Sequence, residues 1–224
     1  MQIDVAGERL HLLPQRAAYL PAHRCLLVAD AHIGKAVSFR RLGVPVPEAT
    51  TEGTLRRLDA ALAATGAQRI VFLGDLLHAA RGRAAGTLLA VQAWREGHAD
   101  LRLQLVRGNH DRGAGDPPAE WGIESVDEPW PLGGLLLKHH PEPEPGGFVL
   151  AGHLHPGARL GGRARDSLRL PCFHIGPRVG VLPAFGEFTG LHVMPREPGT
   201  RVWVVLGDEV RELPSASRSE AGAA

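Results

Sequence analysis

Five short segments of the sequence combine carboxylate, amide and imidazole side chains, and each follows an apolar run that predicts a strand. They are Asp30-Ala31-His32, Gly74-Asp75, Gly108-Asn109-His110-Asp111, Lys138-His139-His140-Pro141 and Gly152-His153-Leu154-His155. A mixed set of oxygen and nitrogen ligands without thiolate suits Mn²⁺, iron, Zn²⁺ or Co²⁺. Two such ions about 3.5–4 Å apart, joined by one carboxylate, clamp the attacking and leaving oxygens of an in-line displacement. The segments therefore predict a two-metal site for phosphoester chemistry.

The spacing within the segments also carries information. One residue separates the polar pair in Asp30-x-His32 and in His153-x-His155. In an extended chain this spacing places both side chains on one side. Glycine precedes Asp75, Asn109 and His153, and we expect it to allow a tight turn and to leave room for a substrate. Gly-Asp alone is typical of a turn, whereas Gly-Asn-His-Asp after a strand is the most specific segment.

The elements that must position these segments alternate between strand and helix in the first half of the chain. Apolar runs predict strands over Cys25–Ala29, Arg69–Leu73 and Leu101–Val106, and helical spacing predicts helices over 47–65 and 84–98. Polar segments then lie at the carboxyl ends of the strands of a βαβ sheet. In the second half, short runs with little helix between them predict a second, more antiparallel sheet. The predicted fold class is α/β, with two packed β-sheets and helices outside.

Bulk properties exclude several classes of protein. The chain has 224 residues, 44% of them hydrophobic, which suits one domain, predicted over residues 1–213. Its apolar runs are shorter than a membrane span and no secretory signal pattern is present, which predicts a cytoplasmic protein. Cys25 and Cys172 are too few for a disulfide framework or a thiolate metal site. Residues 214–224, a small polar tail, are predicted to be disordered.

The charge pattern gives no global attraction to nucleic acid, because the formal net charge is only +1. Apart from Lys35 and Lys138, every Lys or Arg position holds arginine, and a GC-rich genome explains this bias better than phosphate binding does. Several arginines near the polar segments are, taken singly, expected to be solvated. As a group they are candidates for contacts with DNA phosphates: Arg40, Arg41, Arg81, Arg83, Arg107 and Arg112.

The ordered set of segments from Asp30 to His155 resembles the calcineurin-like metallophosphoesterase superfamily. A closer resemblance, to the ligase-associated DNA damage response endonucleases of the PdeM type, rests on Asp30–Ala36, Phe39–Pro47 and Leu182–Gly190. The resemblance implies a four-layer αββα sandwich and an endonuclease of DNA repair. It implies two divalent metal ions, with manganese as first choice and iron, zinc or cobalt as alternatives. It also implies three partners, namely an ATP-dependent DNA ligase, a helicase and an exonuclease.

The resemblance further implies a role for each polar residue. The first metal would be bound by Asp30, His32 and His155, the second by Asn109, His139 and His153, and Asp75 would bridge them. His110 would donate a proton to the leaving oxygen or stabilise its charge, and Asp111 would orient the His110 imidazole.

Two further assignments concern histidines. His139 and His140 are adjacent, so only one can face the metals from an extended chain. The family places the ligand two residues before a proline, here Pro141, which favours His139 and leaves His140 at the polar rim. His78 lies three residues beyond Asp75, so a contact with the site or the substrate is plausible. The tentative substrate-binding residues are His78, Arg112, Arg40 and Arg41.

Three functions remain open at this point. The first is a phosphodiesterase acting on nucleic acid, and the second is a phosphodiesterase or phosphatase for small molecules such as cyclic nucleotides. The same metal ligands serve both. A chain without a capping domain favours a large substrate, whereas a net charge near zero speaks against tight DNA binding. The third is a scaffold without activity, which would be expected to lose ligands that this sequence retains.

Overall fold

The computed structural model describes residues 1–41, 43, 50–78, 84–161, 167–187 and 189–214. Within these ranges the chain forms sixteen strands, arranged in two sheets, and four α-helices. The tail that is predicted to be disordered lies outside the described residues except for Pro214. No helix in the described ranges is both long and apolar enough to cross a membrane.

The first sheet contains seven strands that lie side by side in chain order. They are β1 (Gln2–Val5), β2 (Glu8–Leu12), β3 (Ala18–Leu20), β4 (Cys25–Val28), β5 (Arg69–Leu73), β6 (Arg102–Val106) and β7 (Ile123–Val126). The pairs from β1 to β4 are antiparallel, and the pairs from β4 to β7 are parallel. Strands β4 and β5 are continuous apolar runs because both of their faces are buried.

The longer helices cover one face of this sheet. Helix α2 (Thr50–Thr65) precedes β5, and helix α3 (Ala85–Gly97) precedes β6. Leu55, Leu58 and Ala61 recur at helical spacing in α2 and pack against the apolar side chains of β4 to β6. Two short helices, α1 (Lys35–Arg41) and α4 (Asn109–Ala114), follow the carboxyl ends of β4 and β6.

The second sheet contains nine strands and is mixed. They are β8 (Trp130–Leu132), β9 (Leu135–Leu137), β10 (Phe148–Ala151), β11 (Pro156–Gly161), β12 (Ser167–Ile175), β13 (Val179–Val181), β14 (His192–Val193), β15 (Arg201–Leu206) and β16 (Glu209–Glu212). The central strand β10 is parallel to both β9 and β13, whereas β12 is antiparallel to its neighbours. The predicted α/β class with two packed sheets is confirmed.

A continuous apolar core joins the two sheets. Val71 and Leu73 of the first sheet belong to the same buried cluster as Leu150, Phe173 and Trp203 of the second. The sheets also meet at one edge, where the loop after β13 runs beside the end of β4 and the backbone N–H of Phe185 donates to the carbonyl oxygen of Ala29 at 2.8 Å. This edge collects the carboxyl ends of β4, β5, β6, β9 and β10, and all five polar segments follow those ends.

Replacing Phe173 by Ala should remove about 3–5 kcal/mol from the free energy of unfolding, because the ring is fully buried between the sheets. Urea denaturation of metal-free protein measures the loss. Leu89→Ala is the matched control, since Leu89 is 69% exposed on α3, and it should change stability by less than about 0.5 kcal/mol. Equal losses in both variants would show that Phe173 does not carry the core between the sheets.

Candidate metal centre

The structure brings six of the seven predicted ligands together in two clusters, and the seventh lies between them. In the first cluster, Asp30 Oδ1 lies 3.7 Å from His155 Nε2, and His32 Nε2 lies 3.1 Å from the same nitrogen. We call Asp30, His32 and His155 the first cluster. In the second cluster, His139 Nε2 lies 2.9 Å from Asn109 Oδ1 and 3.0 Å from His153 Nδ1. We call Asn109, His139 and His153 the second cluster.

Asp75 lies between the two clusters. Its Oδ2 is 3.9 Å from His32 Nε2 of the first cluster, and its Oδ1 is 3.5 Å from His139 Nε2 of the second. Its side chain is 3% exposed. Each oxygen of one carboxylate therefore faces a different cluster, which is the arrangement that a carboxylate shared by two cations requires.

The distances between ligand atoms fit divalent cations. Bonds of about 2.1 Å to nitrogen or oxygen place neighbouring ligand atoms about 3.0–3.4 Å apart in octahedral or tetrahedral geometry. The contacts within the clusters range from 2.9 to 3.7 Å, and Asp30, Asp75 and His139 form a third group whose ligand atoms lie within 4.8 Å of one another. The residues present fit divalent metal ions.

The backbone of the ligands is unusual. Asp30, His32, Asp75, His153 and His155 all have φ between 45° and 70°, in the left-handed region. Residues with a side chain rarely adopt this region, and each such residue costs of order 1 kcal/mol. The sequence analysis expected an extended chain to place Asp30 beside His32 and His153 beside His155. That expectation was wrong. The side chains converge because the chain turns at each ligand, so strain is concentrated at the functional edge.

The glycines next to the ligands meet one expectation and contradict another. Gly74 has a φ of 78°, which allows the expected tight turn before Asp75. A Cβ on Gly74 would collide with the His139 ring. A Cβ on Gly152 would lie 2.6 Å from Asp30 Oδ2. One on Gly108 would lie 2.5 Å from Asp75 Oδ1. The missing side chains therefore leave room for the ligands rather than for a substrate.

Backbone groups orient two of the ligands. The Nδ1 of His139 lies 3.0 Å from the carbonyl oxygen of Leu73. Donation of the Nδ1 proton to this carbonyl leaves Nε2 without a proton and facing Asp75 and Asn109. The backbone N–H of His153 donates to Asp30 Oδ2 at 2.8 Å, which ties the two clusters to each other.

His110 lies at the open side of the centre. Its backbone N–H donates to Asp75 Oδ1 at 3.0 Å, and its Nε2 lies 3.9 Å from Asp75 Oδ2. The side chain is 41% exposed. The imidazole therefore lies beside the clusters and remains accessible to a molecule bound there.

Asp111 does not orient the His110 imidazole as predicted. Its carboxylate accepts hydrogen bonds from the backbone N–H groups of Gly108, Asp75 and Leu77, at 2.9, 2.7 and 3.2 Å. The reason is its place in the first turn of α4, where an acidic side chain turns back to the start of the helix. Asp111 thus fastens the loop after β5 to the loop after β6.

Glu128 is a functional candidate that the sequence analysis missed. Its Oε2 accepts hydrogen bonds from the backbone N–H groups of His139 and His140, at 2.7 and 3.0 Å, and its Oε1 lies 2.6 Å from His140 Nδ1. Glu128 follows the carboxyl end of β7, so the rule that found the other segments would have found it too. The strand itself escaped prediction because Ile123–Val126 is short and half polar.

His140 lies closer to the metal ligands than a rim residue would. Its ring centroid is 4.8 Å from that of His139 and 4.9 Å from that of His153. The Glu128 carboxylate nevertheless occupies its Nδ1, and only His139 contacts Asp75. The geometry therefore favours His139 over His140 as the ligand shared with Asp75.

Lys35 and His78 border the first cluster. The His78 ring stacks on His110 at 5.0 Å and meets the edge of His32 at 5.3 Å. Burial, with Lys35 and His110 adding to the effect, lowers the pKa of His78 to about 4. Lys35 was missed as a site residue, although it is one of only two lysines and the other, Lys138, is bound to Glu144 at 2.6 Å.

The centre gathers negative charge in a buried place. Asp30 and Asp75 are at most 2% exposed, and neither forms an ion pair with Lys or Arg within the described ranges. Burial raises the pKa of the Asp75 carboxyl, against the opposing effect of His139. Burial lowers the pKa of Lys35, while Asp30 and Asp75 act to raise it. Divalent cations would supply the missing positive charge.

The arginines near the centre differ in their exposure and in whether they form ion pairs. Arg112 is exposed on α4, two residues after His110, and Arg40 is half-buried on α1. Arg107 forms ion pairs with Asp116 and Asp127 at 2.8 and 3.3 Å, so it is not free for a phosphate. The side chain of Arg41 lies outside the described part of the chain, as do Arg81 and Arg83.

Comparison with solved structures identifies relatives of this fold. The crystal structure of the nuclease MPE from Pseudomonas putida superposes with a TM-score of 0.83 and is 47% identical in sequence, over 95% of this chain and 99% of that chain. The phosphoesterase Yfce from E. coli is 18% identical with a TM-score of 0.41, over 86% of this chain and 99% of that chain. Neither the protein-family models searched nor the curated proteins contain a match.

The chain therefore belongs to the calcineurin-like metallophosphoesterases, as its sequence predicts. It is a metal-dependent hydrolase that acts on phosphoester bonds. The clusters described above are the candidate sites for its divalent metal, because they gather carboxylate and imidazole groups.

Gly108→Ala should displace the Asp75 and His139 side chains and lower Mn²⁺ affinity about 10–100-fold, as changes beside metal ligands do. Isothermal titration calorimetry of metal-stripped protein measures the affinity. Gly113→Ala is the matched control, because Gly113 lies in the helix that follows Gly108 and no atom outside that helix lies within 4 Å of the added Cβ. If Gly108→Ala binds Mn²⁺ as tightly as Gly113→Ala, the close approach of Asp75 does not matter for binding.

Glu128→Gln should also lower Mn²⁺ affinity by about tenfold, because an amide oxygen accepts more weakly from the two backbone N–H groups and from His140. Circular dichroism should show an unchanged fold. Glu124→Gln provides the control, since Glu124 is exposed on β7 and contacts Gln104 instead of a histidine. Unchanged affinity in Glu128→Gln would remove Glu128 from the metal centre.

Proposed function

We propose that this protein is a dinuclear, manganese-dependent phosphodiesterase that cleaves DNA as an endonuclease in repair. The observation that carries the dinuclear assignment is the position of Asp75, whose two oxygens face separate clusters at 3.9 and 3.5 Å. Asp30, His32 and His155 hold one ion in this proposal, and a second ion is held by Asn109, His139 and His153. Mixed nitrogen and oxygen ligands without sulfur suit Mn²⁺, with iron, zinc and cobalt as alternatives.

The bound ions supply Lewis acidity and a nucleophile at neutral pH. Residues of the chain supply the proton, orient the group that donates it and hold the loops in place. His110 lies beside the carboxylate shared by the clusters, and its exposed ring can donate a proton to the leaving oxygen or stabilise the charge on it. His78 stacks on that ring and limits its orientation. Asp111 acts at a distance, because it holds the loops that carry Asp75 and His110.

The substrate is proposed to be a phosphodiester of nucleic acid. The support comes from the 47% identical relative, which is a nuclease, and from the open side of the centre, where Asn109 and Arg112 are exposed and His110 is accessible. Arg112, Arg40, Arg41 and His78 are the proposed contacts with substrate, and Lys35 joins them as a cation beside the first cluster. A phosphodiesterase or phosphatase for small molecules remains the alternative, since the same ligands serve it.

Two predictions from the sequence stay predictions. The partnership with an ATP-dependent DNA ligase, a helicase and an exonuclease rests on the family resemblance alone. The cytoplasmic location rests on composition alone. Neither is needed for the chemistry proposed here.

The decisive experiment compares a diester with a monoester. Metal-stripped protein should hydrolyse bis-p-nitrophenyl phosphate only after Mn²⁺ is added, and it should hydrolyse p-nitrophenyl phosphate more slowly. Asp75→Asn should lose activity, because the amide keeps only one side-chain oxygen and so can serve only one of the two clusters. His110→Ala should lose about 10²–10⁴-fold in kcat, the usual contribution of a general acid. His192→Ala is the control, since His192 is exposed on β14 and belongs to neither cluster.

The same variants decide the substrate class. Wild-type protein should nick single-stranded or double-stranded DNA with Mn²⁺, and Asp75→Asn should not. Hydrolysis of the monoester alone, or of cyclic nucleotides but not DNA, would establish the small-molecule alternative. A folded protein that is inactive with every divalent metal would contradict the proposed activity.

A further inference from the structure

A second cleft lies at the opposite edge of the first sheet. It has a volume of about 810 Å³, and its lining includes Arg24, Arg69 and Arg102 as well as His23 and His98. These residues sit at the amino ends of β4, β5 and β6, whereas the metal clusters follow the carboxyl ends of the same strands. A five-residue strand spans about 17 Å. The cleft is therefore separate from the metal centre, and we call it the arginine groove.

The strand register forces two of the arginines together. Arg69 of β5 and Arg102 of β6 are direct partners in a parallel pair. Partners in register point to the same face of a sheet, so the two side chains leave the backbone side by side. Arg24 directly precedes Cys25, which is the partner of Arg69 on β4. Like charges placed opposite each other on neighbouring strands are destabilising.

No carboxylate compensates this charge within the described residues. Arg24, Arg69 and Arg102 form no ion pair there, in contrast to Arg107 and Arg201, which hold carboxylates at 2.8 Å. Arg69 instead lies over the Trp130 ring at 5.8 Å.

Two carboxylates near the groove contact histidines instead of its arginines. Glu8 pairs with His23 at 3.1 Å, and Asp59 pairs with His98 at 3.4 Å, so both acids are turned to the histidines. Asp100 is the single carboxylate among the lining residues. The groove thus keeps an excess of guanidinium groups in a concave surface.

We propose that the arginine groove binds the phosphate groups of an anionic ligand, either a phosphodiester chain or a free oligophosphate. Guanidinium groups bind phosphate oxygens in pairs of parallel hydrogen bonds. A bound phosphate would relieve the repulsion between Arg69 and Arg102 that the strand register imposes. The cleft volume of about 810 Å³ accommodates several phosphates, and the Trp130 ring behind Arg69 keeps that guanidinium in place.

The test measures binding by metal-stripped protein, so its outcome does not depend on catalysis at the metal centre. Arg24→Ala/Arg102→Ala removes two charges from the groove and leaves Arg69 on Trp130. Arg159→Ala/Arg169→Ala is the matched control, because those arginines are exposed, in register on β11 and β12, and outside the groove. Fluorescence anisotropy reports binding of a labelled oligothymidylate, and calorimetry reports binding of inorganic tripolyphosphate.

The groove variant should bind at least one probe about tenfold or more weakly than the control does. If that probe is the oligothymidylate, the slope of log affinity against log salt should fall by about 1.4, since two phosphate contacts to a single strand are lost. An effect on tripolyphosphate alone would identify a free oligophosphate as the ligand. Equal affinity of both variants for both probes would overturn the proposal.

Hydrolysis of bis-p-nitrophenyl phosphate with Mn²⁺ provides the internal control. This small diester reaches the metal centre without contacting the groove, so the groove variant should keep wild-type activity. Loss of that activity together with binding would show that the two sites are not separate, which would also overturn the proposal. If neither variant nor the wild type hydrolyses the diester, the proposed function fails while the binding result still stands.

Discussion

The burial of two carboxylates at the edge where the sheets meet is the constraint on which the rest of the structure depends. Asp30 and Asp75 are almost fully buried, and within the described residues they contact histidines and backbone amides but form no ion pair with lysine or arginine. Isolated charges in such a place are costly, and divalent cations compensate them. The protein therefore gathers negative charge where cations of small radius and high charge can compensate it, and the excess positive charge of such bound cations would attract a phosphate.

Much of the surrounding structure serves to hold this arrangement in place. The carboxylates of Asp111 and Glu128 each accept hydrogen bonds from the backbone of loops that carry the proposed ligands. Glycines at the ends of the strands remove the Cβ atoms that would collide with Asp30, Asp75 and His139. Left-handed backbone at five ligands concentrates local strain at one edge. The apolar core between the sheets makes this possible, because it fixes the strand ends from which every loop begins.

The first sheet has two edges with opposite electrostatic character. At the carboxyl ends of β4, β5 and β6 the chain places buried acids and histidines, and at the amino ends of the same strands it places arginines. The parallel register produces both groupings, since it aligns corresponding positions of neighbouring strands. A formal net charge of +1 conceals this separation. Metal-dependent hydrolysis at one edge, together with the anion binding proposed for the other, would suit a long, phosphate-bearing substrate.

The sequence by itself determined the ligand types, their order and the main βαβ elements, because buried parallel strands and amphipathic helices have strong periodicity. It did not reveal α1, α4, β3, β7, β8 or the strands from β11 to β13, most of which are short, polar or irregular. Only the tertiary structure decided how the ligands converge, since left-handed turns and the contacts of Asp111 depend on chain segments far apart in sequence. The contacts of Glu128 with the backbone after β9 became visible only in the tertiary structure, and the pairing of Arg69 with Arg102 only with the strand register. Residue types are local information, whereas the distance between them is set by packing.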